Sequence, residues 1–291
     1  MKYGKIAVLV AVCTALTTMM SPVAALAEYD TPYVAFGADL TEEQKSEVLD
    51  LLEVPSDKVT EDTSLYVTNE EEHRYLDGVL GRDVIGTNAL SSCKVVRQEK
   101  GHGIHVKTHN VTYVTDEMYA NALATAGVED ADIVIAAPMP ISGTSALVGA
   151  VAAWSKMEGR ALDPDVILEA ARELDISGVI ARTTGDADKT AQLIAAVKNV
   201  VMTNRMENEE DIRAAVSDVA SQIGLEISDE NMDALISTLS NLSELNLDAE
   251  TIIEQVQGIA GKAMENGLDL SEYGISEEMV TSILDKVKGM F

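Results

Sequence analysis

Cysteine is nearly absent from this chain. Of 291 residues only Cys13 and Cys93 carry a thiol, and Cys13 lies in an N-terminal stretch that reads as removable. A single remaining thiol closes no intrachain disulfide, so a small disulfide-stapled secreted scaffold is excluded and stability must come from an ordinary apolar core. Cys93 sits in the β-like run SSCKVV, where a small buried thiol with no catalytic part is the expectation. Basic charge is scarce too: 21 Lys and Arg stand against 49 Asp and Glu, a formal net charge of −28. Nucleic-acid phosphates and anionic headgroups are bound through clustered Lys and Arg, so neither is an expected partner. Beyond the N-terminus no apolar run approaches the ~20 residues that a bilayer crossing requires.

The first residues, MKYGKIAVLVAVCTALTTMMSPVAALAEYD, supply what the rest lacks. Lys2 and Lys5 form a short basic start, an apolar run extends from Ile6 to about Met20, and Ala25-Leu26-Ala27 has the small-x-small pattern of a cleavage site. The run is shorter than a membrane span, which favours a secretory signal peptide over residues 1–27 rather than a retained anchor. A lipoprotein reading of Cys13 is disfavoured by Val12, where a small residue is wanted. Cleavage after Ala27 leaves 264 residues and removes two lysines but no acid, taking the charge from −28 to −30. The protein is expected outside the cytoplasm, secreted or associated with the cell envelope, without stable membrane insertion once the signal is gone.

Residues 28–160 alternate between strand and helix periods. PYVAFG reads as a strand, and Thr41 with Gln44 forms a capping box before EEQKSEVLDLLEV. Ser64–Thr68 reads as a second strand, followed by Asn69 capping EEEHRYLDGVL with Glu72 at the third helical position. ALSSCKVVRQ and GIHVKTHNVTYVT, joined by EKGHG, read as a β-hairpin. Thr115 caps DEMYANALATAG, which Gly127 ends. ADIVIAA is continuous and apolar, as for a strand covered on both faces, and Gly143 to Met157 is helical and rich in Gly and Ala, suited to close approach to a sheet. The expected order is β-α-β-α-β-β-α-β-α, an α/β, α+β-like mixed sheet with a hairpin and packed helices.

Strand signals then almost vanish, and residues 161–291 read as an all-α helical region, a bundle or lid packed on the sheet domain. Asp163-Pro164 starts a helix expected to run to about Leu174; Thr184 to Asp186 introduces AQLIAAVKNVVMTNRM, and ENEEDIRAAVSDVASQIG follows. Three further starts repeat one signature, an apolar residue before the cap and another at the fourth helical position: Ile227-Ser228 with Met232, Leu247-Asp248 with Ile252, Ile275-Ser276 with Val280. No low-complexity linker separates the two halves.

Candidate sites centre on Ser142, Gly143, Thr144 and Ser145. They follow the apolar run Ile133–Ala137 at the place where ligands of α/β sheets sit, beyond a strand's carboxyl end and beside a helix N-terminus. A nucleophile elbow is excluded because Gly143-Thr144-Ser145-Ala146-Leu147 lacks the second Gly, and a Walker loop because no Gly-Lys-Ser/Thr follows. The favoured reading is a helix cap made by Ser or Thr oxygens, with anion binding through the same loop as the functional reading. His102, His105 and His109 in GHGIHVKTHN resemble metal ligands, but His105 and His109 share one strand face, His102 falls in the turn, and only one cysteine is at hand, so no metal site or cofactor is expected. His73 on a charged helix face needs no special role. The acidic segments DPDV, GDADK and ENEEDIR fit helix starts rather than a calcium loop.

The ordered set FGADLTEEQK, then NVTYVTDEMYANALATAGVEDADIVIAAPMPISGTSAL, resembles the domain of unknown function 1002 family, the YpuA-like secreted proteins of Gram-positive bacteria. The resemblance covers about Ala35 through Trp154 and, less distinctly, the helical half. It implies a secreted or envelope-associated protein with a signal peptide, and it brings no assigned activity and no catalytic residue. The functional expectation is a non-enzymatic binding or interaction module for a cell-envelope component or a protein partner. The alternatives are an extracellular hydrolase using Ser145 or Thr144 with His105 or His109, and an acidic protein that binds divalent cations.

Overall fold

The computed structural model describes residues 31–276 apart from 162, 246 and 247. The expected signal peptide, the staple residue Leu247, and the last helix start with its Val280 lie outside the described residues. Five strands form one mixed sheet: β1 (Tyr33–Gly37), β2 (Ser64–Val67), β3 (Ser92–Arg97), β4 (Ile104–Val111) and β5 (Ala131–Ile141), in the order β2-β1-β3-β5-β4. β1 pairs parallel with β2, β5 parallel with β4, and β3 runs antiparallel to both β1 and β5.

This order overturns the hairpin. β3 and β4 do not pair; β5 lies between them, with Ile133 opposite Val95 on one side and Val106 on the other. The connection that resembles a hairpin turn instead spans β5. The Asp130 carboxylate, just before β5, accepts from the amides of Gly101 (3.0 Å) and Gly103 (2.8 Å), and Ala131 N–H donates to the Gly103 carbonyl. The apolar run of β5 takes an interior place, between β3 and β4, because burying Ile133 and Ile135 requires a strand on each side and a helix layer above.

The helices of the first half are α1 (Glu42–Leu51), α2 (Asn69–Leu76), the short α3 (Arg82–Ile85), α4 (Asp116–Thr125) and α5 (Thr144–Met157). Thr41 and Gln44 form the expected capping box. α2 begins one residue earlier than expected. Thr68, not Asn69, is the cap, and its box partner is Glu71 rather than Glu72. The shift frees Asn69 and Glu72 to face inward. α1 packs on one sheet face with Val34, Phe36 and Ala136; α4 and α5 cover the other with Ala35, Cys93, Val95, Ile133 and Ile135. Small residues set the spacing there: a Cβ on Gly149 would sit 2.8 Å from the Ala35 Cβ, so only glycine lets α5 lie this close to β1.

α6 (Pro164–Thr184), α7 (Ala187–Asn204), α8 (Glu209–Ile223), α9 (Asp229–Glu244) and α10 (Ala249–Glu265) complete the described chain. α6 runs a further ten residues past Leu174, because Ile176 and Ile180 continue its buried stripe and Gly178 serves close approach to Tyr113 rather than ending the helix. Asp163, Asp186 and Asn208 cap α6, α7 and α8, as the helix-start reading of the acidic segments requires. The core does not break near residue 160. Ile167, Ala170 and Leu174 of α6, Ala191 and Ala195 of α7, and Val256 and Ile259 of α10 join the cluster under the sheet, while α7, α8 and α9 with the far ends of α6 and α10 form a second cluster.

The two halves are also joined by a buried polar knot. The ammonium of Lys198 on α7, fully buried, donates to the Asn121 carbonyl (2.8 Å), the Thr125 hydroxyl (2.9 Å) and the Glu173 carboxylate (2.7 Å). Thr125 in turn donates to the other Glu173 oxygen at 2.6 Å. All three ammonium hydrogens have acceptors, the condition under which a buried ion pair is tolerable.

Candidate functional site

Because β1, β2, β4 and β5 run in one direction, their carboxyl ends share one edge of the sheet, and α1, α2, α4 and α5 start there. The four candidate residues lie on this edge. Gly143 is the N-cap of α5 with φ of 97°, a left-handed conformation that glycine adopts without steric penalty, and no side chain of the cap bonds the helix. Its carbonyl accepts from the buried Tyr119 hydroxyl at 2.7 Å. Thr144 and Ser145 are 4% and 3% exposed, and Ser142 is half-buried.

The expected capping by Thr144 or Ser145 is not what occurs. The cap oxygen comes from 55 residues away: Ser91, leading into β3, accepts from the Ala146 amide at 2.9 Å. Ser91 then donates its own hydroxyl to Ser145 Oγ at 2.7 Å, and Ser145 donates to the Ser91 carbonyl at 3.1 Å. The Ser91 amide also donates to Ser145 Oγ. Both hydroxyl protons of this serine pair have an acceptor. The physical reason is register. Ser92 opposite Ala136 and a bond from the Gly37 amide to Ser92 Oγ place Ser91 directly over the start of α5.

Thr144 turns the other way and donates to Glu72 Oε1 at 2.8 Å; the Asn69 side-chain amide donates to Glu72 Oε2 at 3.2 Å. Glu72 is 1% exposed and has no ion-pair partner among the described residues. Burial pushes its carboxyl up to about 7; the bonds from Thr144 and Asn69 and the nearby His73 restrain the rise, and Asp39 adds to it. Glu72, Asn69, Ser91 and Tyr119 gather with these residues at the sheet edge, and reading the sequence missed them. One signal was there: Glu72 stands four residues before the buried Leu76, on the inward face of α2.

The hydrolase alternative required an imidazole beside Ser145 or Thr144. The partners of these hydroxyls are Ser91 and Glu72, and no histidine is among them. His102 Nε2 bonds Asp132 Oδ1 at 2.9 Å beside Gln98, which holds the other Asp132 oxygen; His105 Nε2 meets the His102 carbonyl at 3.1 Å. His109 is half-buried on β4 opposite Ala136, its Nε2 without a hydrogen-bond partner. Among the described residues no group of three or more His, Cys, Asp or Glu side chains is placed to hold a metal ion. Burial pushes the Cys93 thiol up to about 12, so it stays protonated and unreactive. No described helix is long and apolar enough to cross a membrane.

These observations define a mixed-sheet α/β protein with an all-α extension, whose carboxyl edge is closed by its own side chains. The chain belongs to the family described as protein of unknown function DUF1002, which it matches over residues 36–259. It is 36% identical over 224 residues to the uncharacterized protein YpuA of Bacillus subtilis (strain 168), covering 77% of this chain and 76% of that protein. No solved structure matches it.

Proposed function

We propose that the leader carries the chain out of the cytoplasm and that the exported protein is a non-enzymatic binding protein of the cell envelope. The carrying observation is the commitment of the Ser145 proton to the Ser91 carbonyl, which leaves the best-placed hydroxyl of the sheet edge without a base to activate it. The contact face of this reading is the strand extension Pro138 to Ser142, where Met139 is 45% exposed, one of the two large apolar side chains so open among the described residues. With Gly143, Thr144 and Ser145 buried, Ser142 is the candidate residue left to meet a ligand. A charge of −30 after cleavage favours a neutral or cationic envelope component, such as wall glycan, over acidic lipid or nucleic acid.

Expression of the full chain in a Bacillus host, followed by fractionation and mass measurement, tests export; the expected product begins after Ala27. Co-sedimentation with wall sacculi stripped of anionic polymers tests binding. Met139→Asp is expected to lower retention at least fivefold. Unchanged retention would remove this face from consideration, and an esterase or amidase activity lost in Ser145→Ala would overturn the non-enzymatic reading.

A further inference from the structure

The carboxyl edge is covered by a strap of the chain's own backbone, residues 77–91, between α2 and β3. Its far end is pinned by Ser91 to Ser145 and Ala146. Two residues earlier it is pinned by Asp39, whose carboxylate accepts from the Ala89 amide at 2.8 Å. Five residues before its far end, the carbonyl of Gly86 receives His73 Nε2 at 3.2 Å and the Asn69 amide at 3.5 Å. His73 and Asn69 of α2 therefore hold the strap directly, and Glu72 reaches it through the Asn69 amide it shares with Gly86.

His73 faces an acceptor with each ring nitrogen: Nδ1 lies 2.8 Å from the Asp77 carboxylate and Nε2 faces the Gly86 carbonyl. A neutral imidazole carries one N–H, so both bonds exist together only in the imidazolium. Glu72 is buried with neutral donors alone, and Asn69 shares its amide hydrogens between Glu72 and the Gly86 carbonyl. An ionised Glu72 draws the shared Asn69 amide toward its charge and away from the Gly86 carbonyl. We propose that Glu72 and His73 form a proton-dependent latch that fastens residues 77–91 over the carboxyl edge when both are protonated and loosens that strap as pH rises through neutrality.

The surrounding charges are few. Asp39, after β1, and His73 act on Glu72; Asp77 and Arg82 act on His73. α5 presents the Thr144 hydroxyl, and neither group has an ion pair to α6 among the described residues. Both shifts have one sign. The folded state raises the Glu72 carboxyl and, through the Asp77 bond, the His73 imidazole above their ordinary values. Each contribution is thus whole below the group's ordinary range and is lost as pH climbs through the folded value.

Amide hydrogen exchange of the full chain at pH 6 and pH 8, corrected for the intrinsic chemical rate, tests the latch. With Glu72 moving from an ordinary 4.5 to about 7, linkage makes the strap open about tenfold more readily at pH 8 than at pH 6 from that group alone. Peptides of α7 serve as the internal reference and are expected to change far less. Glu72→Gln is expected to abolish most of the pH response and His73→Gln to diminish it. A wild-type strap whose opening is the same at both pH values, a response shared equally by α7, or an undiminished response in Glu72→Gln would each overturn the proposal. Should the variants fail to fold, carbon-13 titration of the wild-type carboxyls decides: Glu72 titrating near neutrality in step with strap opening supports the latch, and titration in the ordinary carboxylate range sinks it.

Discussion

Two carboxylates are buried to nearly the same degree in this molecule and live in opposite circumstances. Glu173 in the helical half is 2% exposed and meets the Lys198 ammonium; Glu72 at the sheet edge is 1% exposed and meets only a hydroxyl and an amide. Burial alone costs each several kcal/mol when charged. At Glu173 a cation and two hydrogen bonds offset that cost, and the knot ties α4, α6 and α7 together in one register. At Glu72 the cost stands, so the group holds its proton until neutrality. One region uses a buried acid to fix the fold; the other leaves it responsive.

The comparison breaks most severely at Lys198. Lys198→Met leaves Glu173 buried without its cation, with an expected loss of about 3–5 kcal/mol by urea denaturation, largely restored when Glu173→Leu is added. The double variant should remain folded, because an apolar pair of similar volume is tolerated where a lone charge is not. At the other site the sign reverses. Wild-type stability is expected to fall as pH rises from 4.5 to about 7, since the raised carboxyl binds its proton more tightly folded than unfolded. Glu72→Gln removes that slope and should be more stable than wild type at pH 8 by about 2–3 kcal/mol, with little difference at pH 4.5. Ser145→Ala strips Ser91 of its hydroxyl partner and should cost about 1–2 kcal/mol. Wild-type protein should also show no labelling by a serine-directed fluorophosphonate. Smallest is Lys262→Ala, which breaks an exposed pair with Glu117; a loss within about 1 kcal/mol would confirm that burial, not pairing as such, gives Lys198 its weight.

Much of the fold could be read along the chain because it is local. The capping box at Thr41, the caps at Thr115, Asp163, Asp186 and Ser228, and the interior strand that contains Ile133–Ala137 all follow from residues within a turn or two of one another. The hairpin misled because β-branched runs around a glycine turn look alike whether the strands pair directly or admit a third between them. What separates the cases is Asp130, a residue 27 positions past Gly103. The candidate loop was legible in its place between β5 and α5 but not in its contacts. The cap from Ser91 and the carboxyl from Glu72 arrive across 55 and 72 residues.

By itself, the sequence determined what short-range physics decides: the start of most helices, the run that becomes the interior strand β5, the glycine where α5 meets the sheet, the excess of negative charge. Only the tertiary structure decided which strand stands between which, which hydroxyl faces which acceptor, and which of two equally buried acids keeps company with a cation. The reason is that hydrogen bonds and desolvation act through space, over distances of about 3 Å that no spacing along the chain encodes.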